Sequence, residues 1–311
     1  DHEVTGAIGG AMLARRHQQK HGGNLSSFGG FELADVQYAV RHFECDKCSN
    51  ACEINEVNVA GREPAYYGSR CDRYNRKKDG TGNEQIPNLF AERHRLLLDH
   101  AHVEADRKPG RPTVGIPLAL SNYQLLPFWG TLLGELGMNV VVSPVSNQQI
   151  IDRGVEAVVS TPCFPVKVAH GHVFKLLDLE VDYLWLPSVV SMPRESAENR
   201  YNQLCPYVTA VPYQIAAAVE LRGRKVKMLK PPVRFQEGRR GLRKCLRSLC
   251  GELGVSRRRL DRAVDKAWRA QEDFDEACRR RGREVLENLD RTEIMSPVEA
   301  NPYNGCDRGV N

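Results

Sequence analysis

The chain has 311 residues, of which 41% are hydrophobic and 27% charged, and its formal net charge is +5 at pH 7. This is the composition of a soluble protein with a buried core, in one large domain or two ordinary ones. No apolar run approaches the roughly 18–20 residues that span a bilayer, and no signal peptide is visible, so we expect a cytoplasmic protein. Because the chain lacks an initiator Met and begins in helical sequence, we also expect a fragment of a longer protein.

The first hundred residues divide into four predicted segments. Residues 1–19 contain small residues at helical spacing, and residues 21–30 form a Gly/Ser-rich linker. Residues 31–85 are polar and Cys-rich, and their apolar residues show no periodicity. We therefore predict a small module whose core is supplied by a metal. Residues 86–103 have the apolar spacing of a helix.

After Pro109, short apolar strands alternate with helices. This alternation is typical of a parallel sheet with helices on both faces. We therefore predict an α/β fold with a parallel, Rossmann-like sheet, preceded by the small Cys-rich module. The predicted strands are 113–116, 139–142, 156–159, 183–186 and 226–229, and the predicted helices are 123–136, 166–177, 212–221, 239–253 and a long helix capped by Ser256 that ends near 289.

The strongest chemical signal is the segment CDKCSNAC at residues 45–52, which a further cysteine follows at position 71. Ten cysteines in a chain without a secretion signal indicate metal or redox chemistry, because cytoplasmic thiols stay reduced. Four thiolates suit Zn²⁺ or a [4Fe–4S] cluster equally well. Unligated thiols are a third interpretation. The predicted ligands are Cys45, Cys48, Cys52 and Cys71.

Two further cysteines are predicted at the carboxyl edge of the sheet, where its parallel strands end. Cys163 lies between the predicted third strand and the next helix, and Cys205 follows the fourth strand. Open parallel sheets bind ligands at this edge, and a helix N-terminus favours an anionic cluster or phosphate. Two thiols on one rim would ligate a shared cluster. The alternative is a pair of buried apolar cysteines.

The other histidines and cysteines carry weaker signals. His170 and His172 are expected to be core or capping histidines rather than metal ligands. Cys306 is a candidate third ligand on the same rim. The cysteines that lie in amphipathic helices without metal-like spacing are expected to be structural: Cys245, Cys250 and Cys278.

The charge is unevenly spread along the chain. Residues 222–291 hold 22 Lys and Arg against 11 Asp and Glu. Such a segment indicates either solvated Arg-rich helices or a docking surface for an acidic partner or a phosphorylated cofactor. No nucleic-acid-binding motif accompanies it, and the sequence contains neither a Walker loop nor a hydrolase triad.

The cysteine segment at 45–52, the segment around Cys163 and several other blocks of the sequence resemble one known family. This is the acyl-CoA dehydratase activase-related domain of the 2-hydroxyglutaryl-CoA dehydratase and CoA-substrate-specific activase superfamily. That domain lies behind an activator-type ATPase domain in large proteins of anaerobes. The resemblance covers about residues 31–311, and residues 3–14 resemble the end of the ATPase domain. The matching blocks are 45–52, 67–74, 88–90, 113–117, 126–129, 160–173, 186–193, 205–208 and 302–304.

The resemblance implies a division of the chain into four parts. Residues 1–20 would be the C-terminal remnant of the ATPase domain and residues 21–30 a linker. Residues 31–85 would be the Cys-rich metal or iron–sulfur module. Residues 86–311 would be a dehydratase-like α/β domain, truncated at its C-terminus.

The resemblance also implies an oxygen-sensitive iron–sulfur protein. In related systems an activase couples ATP hydrolysis to delivery of one low-potential electron, which a dehydratase uses to eliminate water from a 2-hydroxyacyl-CoA. We therefore expect one or two [4Fe–4S] clusters here, with ATP bound only in the missing upstream domain. The resemblance favours iron–sulfur over zinc and extends ligand roles to Cys163 and Cys205.

Two other functions stay open at this point. One is a dehydratase-like catalytic subunit that binds acyl-CoA at an open cluster iron, and the other is a zinc-stabilised interaction module. The expected partners are an activase ATPase domain, in the same polypeptide or separate, a dehydratase-type subunit and, in the catalytic case, acyl-CoA. We expect neither membrane nor nucleic acid as a partner.

Two of the matching blocks, 186–193 and 302–304, supply the candidate cofactor-binding residues: Ser188, Tyr303 and Asn304. One departure from the family weakens the role of Cys306. The family has an apolar strand leading into the block at 302–304, whereas residues 292–299 of this chain make a poor strand.

Overall fold

The computed structural model describes most of the chain, and the described residues form two compact units. One holds those within Asp1–Phe43 and Ile54–Tyr67, and the other those within Glu44–Glu53 and Gly68–Asn311. None of the described helices combines the length and the apolarity that a bilayer crossing needs. The described residues are 4–20, 36–46, 51–59, 61, 63–69, 74, 87–103, 107–159, 161–194, 201–219 and 225–288.

The first unit contains a helix and a small sheet. The helix α1 (Thr5–Lys20) confirms the helix predicted near the start of the chain. The strands β1 (Tyr38–Glu44), β2 (Glu53–Val59) and β3 (Ala65–Tyr67) pair in the order β1-β2-β3. Only Ile54 is fully buried among their described side chains, at 1% exposure. The predicted metal-ordered module over 31–85 is not confirmed, because its described part is largely this exposed sheet.

The second unit is built on a parallel sheet, as the sequence predicted, and its strand order is β5-β4-β6-β8. Four of the five predicted strands are confirmed to within one residue at each end. Two further strands, β7 and β9, follow β6 and β8 directly and pair with each other in parallel. The six strands are β4 (Thr113–Ile116), β5 (Asn139–Val142), β6 (Tyr183–Trp185), β7 (Ser188–Ser191), β8 (Lys227–Leu229) and β9 (Pro232–Arg234).

Nine helices of this unit are described, and most lie where the sequence predicted them. The predicted helices over 123–136 and 239–253 are each split in two, and the helix predicted over 212–221 begins six residues earlier. The helices are α2 (Leu89–His100), α3 (Leu120–Gln124), α4 (Leu126–Glu135), α5 (Gln148–Ala157), α6 (Phe164–Asp178), α7 (Pro206–Ala218), α8 (Gly238–Cys245), α9 (Ser248–Leu253) and α10 (Arg257–Asn288).

The strand predicted over residues 156–159 is wrong, because this stretch contains the last turn of α5 and the loop that follows it. Asn147 caps α5, since its side-chain oxygen accepts a hydrogen bond from the Ile150 N–H at 3.1 Å. The helix then packs closely against α6. A Cβ added at Gly171 would overlap the Ile150 carbonyl oxygen, so the two backbones meet where α6 has no side chain.

Helices cover both faces of the parallel sheet. Gly115 of β4 pairs with Leu184 of β6, and a Cβ at Gly115 would lie 3.1 Å from the Leu176 side chain of α6. Successive side chains of a strand point to opposite faces. Trp185 therefore points the other way, where its ring centroid lies 5.1 Å from that of Trp129 on α4. The core is thus closed by α6 on one face and α4 on the other.

The long helix α10 closes the outer layer over α4 and α2. Ser256 caps it as predicted, because its hydroxyl accepts a hydrogen bond from the Arg259 N–H at 3.3 Å. Near its other end Arg281 makes a two-point ion pair with Glu92 of α2, at 2.6 and 3.1 Å. Arg281 holds the pKa of Glu92 below its usual value through this hydrogen-bonded contact.

Candidate functional site

Two of the predicted cysteine ligands face each other at the neck of a hairpin. Cys45 follows β1 directly and Cys52 precedes β2, and the Cys45 N–H donates to the Cys52 carbonyl oxygen at 2.8 Å. A parallel connection needs about a dozen residues or more, so the eight residues between these strands make an antiparallel hairpin. The loop that Cys45 and Cys52 close contains Cys48, which lies outside the described residues.

A tyrosine contacts the first of these sulfurs. The Tyr74 hydroxyl donates to the Cys45 Sγ at 3.4 Å. Cys45 is 7% exposed, and Cys52 is half-buried. Cys71 lies three residues before Tyr74 in the sequence and is outside the described residues.

This arrangement suits the thiolate ligands that were predicted. A sulfur shielded from water and given a hydrogen-bond donor is the environment in which proteins tune bound iron–sulfur clusters. Among the residues that the structure describes, no three His, Cys, Asp or Glu side chains come together as a metal site. Two of the four predicted ligands, Cys48 and Cys71, lie outside that part of the chain.

Cys163 and Cys205 occupy equivalent positions in the fold. Each is the N-cap residue of a helix, Cys163 of α6 and Cys205 of α7. Both helices lead into a parallel strand, so both run back from the carboxyl edge of the sheet and begin at that edge. Both thiols are exposed. The alternative interpretation, a pair of buried apolar cysteines, is therefore wrong.

Neither thiol contributes a cap to its helix. The side chains of Cys163 and Cys205 make no capping hydrogen bond, although each residue has the extended ψ, 156° and 133°, that an N-cap needs. Ser, Thr, Asp and Asn are the residues that stabilise this position. Helix stability therefore does not explain a cysteine at either place.

The sheet reverses its order between β4 and β6, and a crevice lies there. The chain runs from β4 to its neighbour β5 and then crosses to β6 on the other side of β4. Ligands of open α/β sheets bind at such a switch point. The crevice encloses only about 20 Å³, and Asn122 is one of the residues that line it. Asn122 is 6% exposed, and its Oδ1 has no hydrogen-bond partner among the described residues. Sequence reasoning missed Asn122, although its place just beyond β4 was a usable signal.

Ser188, one of the candidate cofactor-binding residues, is buried at the start of β7. Its hydroxyl donates to the Thr209 carbonyl oxygen at 2.9 Å, and the Thr209 hydroxyl donates to the Val189 carbonyl oxygen at 3.1 Å. These bonds tie α7 to β7. The other two candidates, Tyr303 and Asn304, lie outside the described residues, as does Cys306.

The two histidines of α6 are core residues, as expected. Burial lowers the pKa of His172 to about 3, and its ring lies between two serine hydroxyls. The Ser143 Oγ is 2.8 Å from Nδ1 and the Ser146 Oγ is 2.8 Å from Nε2. The His170 Nδ1 forms a hydrogen bond with the Val166 carbonyl oxygen at 2.8 Å. Burial lowers the pKa of His170 as well. Burial therefore favours the neutral form of both rings.

The three cysteines expected to be structural lie in helices of the outer layer, where they are half-buried. Cys250 and Cys278 pack against the hydrophobic core, which confirms the expectation for these two. Cys245 ends α8.

Comparison with known families gives one match. Residues 113–311 match the profile of the family described as the CoA enzyme activase uncharacterised domain (DUF2229). The matched stretch is more than half of the chain and contains the parallel sheet, the switch-point crevice and both N-cap cysteines. No curated protein and no solved structure matches the chain.

Proposed function

Because this chain belongs to the CoA enzyme activase uncharacterised domain family, we propose that it is the electron-handling part of a system that activates a CoA-dependent enzyme. The enzyme served would be of the dehydratase type. ATP hydrolysis would take place in a separate activase ATPase domain. This role assigns the predicted thiolates to iron rather than to zinc.

The observation that carries the proposal is the hairpin neck at Cys45 and Cys52. The backbone hydrogen bond between them holds two of the proposed ligands close together, and Tyr74, which follows Cys71 by three residues in the sequence, contacts Cys45. We propose that Cys45, Cys48, Cys52 and Cys71 hold a [4Fe–4S] cluster. When bound, such a cluster supplies one-electron transfer at low potential. Burial of Cys45 would exclude water from its sulfur, and Tyr74 would donate a hydrogen bond to it.

The exposed thiols of Cys163 and Cys205 would form a second contact point for iron on the α/β domain. Cys163 and Cys205 are the N-cap residues of two helices that begin at the same edge of the sheet, and a helix N-terminus favours an anionic group beside it. Their exposure suits a site that a partner subunit must reach.

The catalytic alternative requires a pocket for an acyl-CoA. The switch-point crevice of the described residues encloses about 20 Å³, which is roughly the space of a single water. A CoA thioester needs a pocket of several hundred cubic ångströms. The size of the crevice therefore favours electron transfer over catalysis at this edge.

Helix α1 supports the expected ATPase partner. Its apolar side chains Ile8, Met12 and Leu13 are all more than half exposed, and added Cβ atoms at Gly6, Gly9 and Gly10 would meet no described atom within 4 Å. A surface of small and apolar residues permits close approach of another backbone. We propose that the activase ATPase domain packs on this helix.

Spectroscopy of protein prepared without oxygen tests the proposal. We expect a broad visible absorption band that bleaches on reduction with dithionite, together with an EPR signal of the reduced protein. Cys45→Ser should remove the contribution of the hairpin site. Cys245→Ser is the matched control. Cys245 lies in α8, and its spacing from the other cysteines is not that of a metal ligand, so this variant should leave the spectrum unchanged. A colourless protein after anaerobic reconstitution would overturn the proposal.

A further inference from the structure

A large cavity lies at the edge of the sheet opposite to Cys163 and Cys205. It encloses about 610 Å³ where α10 packs on α4. Its lining residue Arg111 lies two residues before β4, and Met138 lies one residue before β5, so the cavity lies at the amino edge of the sheet. Its volume falls in the range of small-molecule sites.

The walls of this cavity are strongly basic. Four Arg and Lys side chains line it, whereas only two carboxylates do, and one of those carboxylates already forms an ion pair. The cations are Arg111, Arg259, Lys266 and Arg269, and the carboxylates are Glu135 and Asp273.

Glu135 positions two of the four cations. The Lys266 ammonium lies 2.9 Å from both carboxylate oxygens of Glu135. The Arg259 Nε donates to the backbone carbonyl oxygen of the same residue at 2.8 Å. Glu135 therefore holds the Lys266 ammonium and the Arg259 guanidinium at the cavity wall, and Lys266 offsets the negative charge of Glu135.

The other two cations lack any such partner. The side chains of Arg111 and Arg269 make no hydrogen bond or ion pair with any residue in the described part of the chain. Thr131 also lines the cavity and is 8% exposed, and no described residue forms a hydrogen bond with its hydroxyl. A buried hydroxyl usually finds an acceptor. Two free guanidinium groups and a free hydroxyl thus lie around one positive cavity.

We propose that this cavity binds the phosphate groups of a nucleotide-sized ligand. The planar guanidinium group matches a phosphate with two parallel hydrogen bonds, and a threonine hydroxyl adds a third donor. The cavity is larger than a bare phosphate needs, so the ligand carries an organic part. CoA and free nucleotides share this chemistry. The inference goes beyond the proposed function and does not depend on a bound cluster.

Calorimetric titration of the full chain tests this proposal, with CoA, ADP, inorganic phosphate and an RNA oligonucleotide as probes. We expect saturable binding of CoA or ADP. Arg269→Gln and Arg111→Gln should each weaken binding at least about tenfold, because each removes a charged hydrogen-bond donor. Thr131→Val, which keeps the side-chain shape, should weaken it severalfold. Arg280→Gln removes the same charge from an exposed position of α10 outside the cavity and should leave binding unchanged.

The probes separate the two sources of phosphate. Binding of CoA without ADP assigns the cavity to CoA, and the reverse assigns it to nucleotides. Either result supports the proposal. Three results would overturn it: no saturable binding of CoA or ADP, an equal loss in Arg280→Gln, or binding of an RNA oligonucleotide in place of both. Circular dichroism checks the fold of each variant.

Discussion

The backbone N–H of Cys45 donates to the carbonyl oxygen of Cys52 at 2.8 Å, which holds two cysteines on either side of one hairpin loop. In the proposed site, this pairing would hold two ligands in place before any ion binds. Preorganised ligands bind more tightly because less conformational entropy is lost on binding. The hairpin would then provide two of the four proposed thiolates, and Cys48 and Cys71 would complete the set.

Tyr74→Phe should lower the one-electron reduction potential of the anaerobically prepared protein. The Tyr74 hydroxyl donates to the Cys45 sulfur, and a hydrogen bond to sulfur stabilises the more negative, reduced state. A net hydrogen-bond contribution of about 1 kcal/mol corresponds to a shift on the order of tens of millivolts. Redox titration followed by EPR measures it. An unchanged potential, with unchanged iron content, would show that Tyr74 does not act on the site.

Cys163→Ser and Cys205→Ser should each stabilise the metal-free protein by about 0.5–1 kcal/mol. Both residues are exposed N-caps whose thiols make no capping hydrogen bond, whereas a serine hydroxyl accepts one from the first turn. Urea unfolding measures the change. Destabilisation by either variant would mean that the thiol has a structural role that the contacts do not reveal.

The free energy of unfolding should fall as the pH is lowered from about 6.5 to about 3. Burial lowers the pKa of His172 to about 3, whereas an unfolded histidine titrates near 6.5. The unfolded chain therefore binds a proton that the folded chain does not, and stability is lost through this window. The full loss is up to about 5 kcal/mol. The lowered pKa of His170 acts in the same direction.

His172→Gln isolates this contribution. Glutamine keeps a hydrogen-bonding group near Ser143 and Ser146 but does not titrate. Urea unfolding at a series of pH values should give the variant a lower stability at pH 7 and a shallower slope below pH 6.5. An unchanged slope would assign the acid sensitivity to other groups.

Gly171→Ala should destabilise the protein by about 3 kcal/mol. The added methyl group would overlap the Ile150 carbonyl oxygen, so α5 and α6 would have to separate. Gly282→Ala is the matched control, because a Cβ at Gly282 of α10 would meet no described atom within 4 Å. It should stabilise the protein by about 1 kcal/mol. Equal effects in the two variants would contradict the close packing of α5 on α6.

The parallel sheet could be predicted because its strands are short, apolar and buried on both faces. One predicted strand of this sheet, 156–159, is not a strand in the structure. The β-branched pair Val158 and Val159, which directly follows α5, suggested it. Local propensity favours a strand there, but the packing of α5 on α6 through Gly154 and Gly171 decides the outcome. Pro206 was the missed signal for the start of α7, since proline suits the first helical position.

The strands around the cysteine motif could not be predicted from periodicity. Along β1 only Phe43 is partly buried, so no alternation of apolar and polar residues marks the strand. The four-cysteine site stays a prediction, which rests on the residue type and spacing that ligand chemistry requires. The place of Asn122 just beyond β4 was a signal that sequence reasoning did not use. The basic cavity could not be predicted, since it depends on neighbours that only the folded chain brings together.

The most direct test of the cysteine site is the content of iron, acid-labile sulfide and zinc per chain, measured on protein prepared without oxygen. We expect roughly four iron and four sulfide ions for each [4Fe–4S] site. Cys45→Ser should lower this content, and Cys245→Ser should leave it unchanged. One tightly bound zinc without sulfide, or the same iron content in all three proteins, would contradict the proposed site.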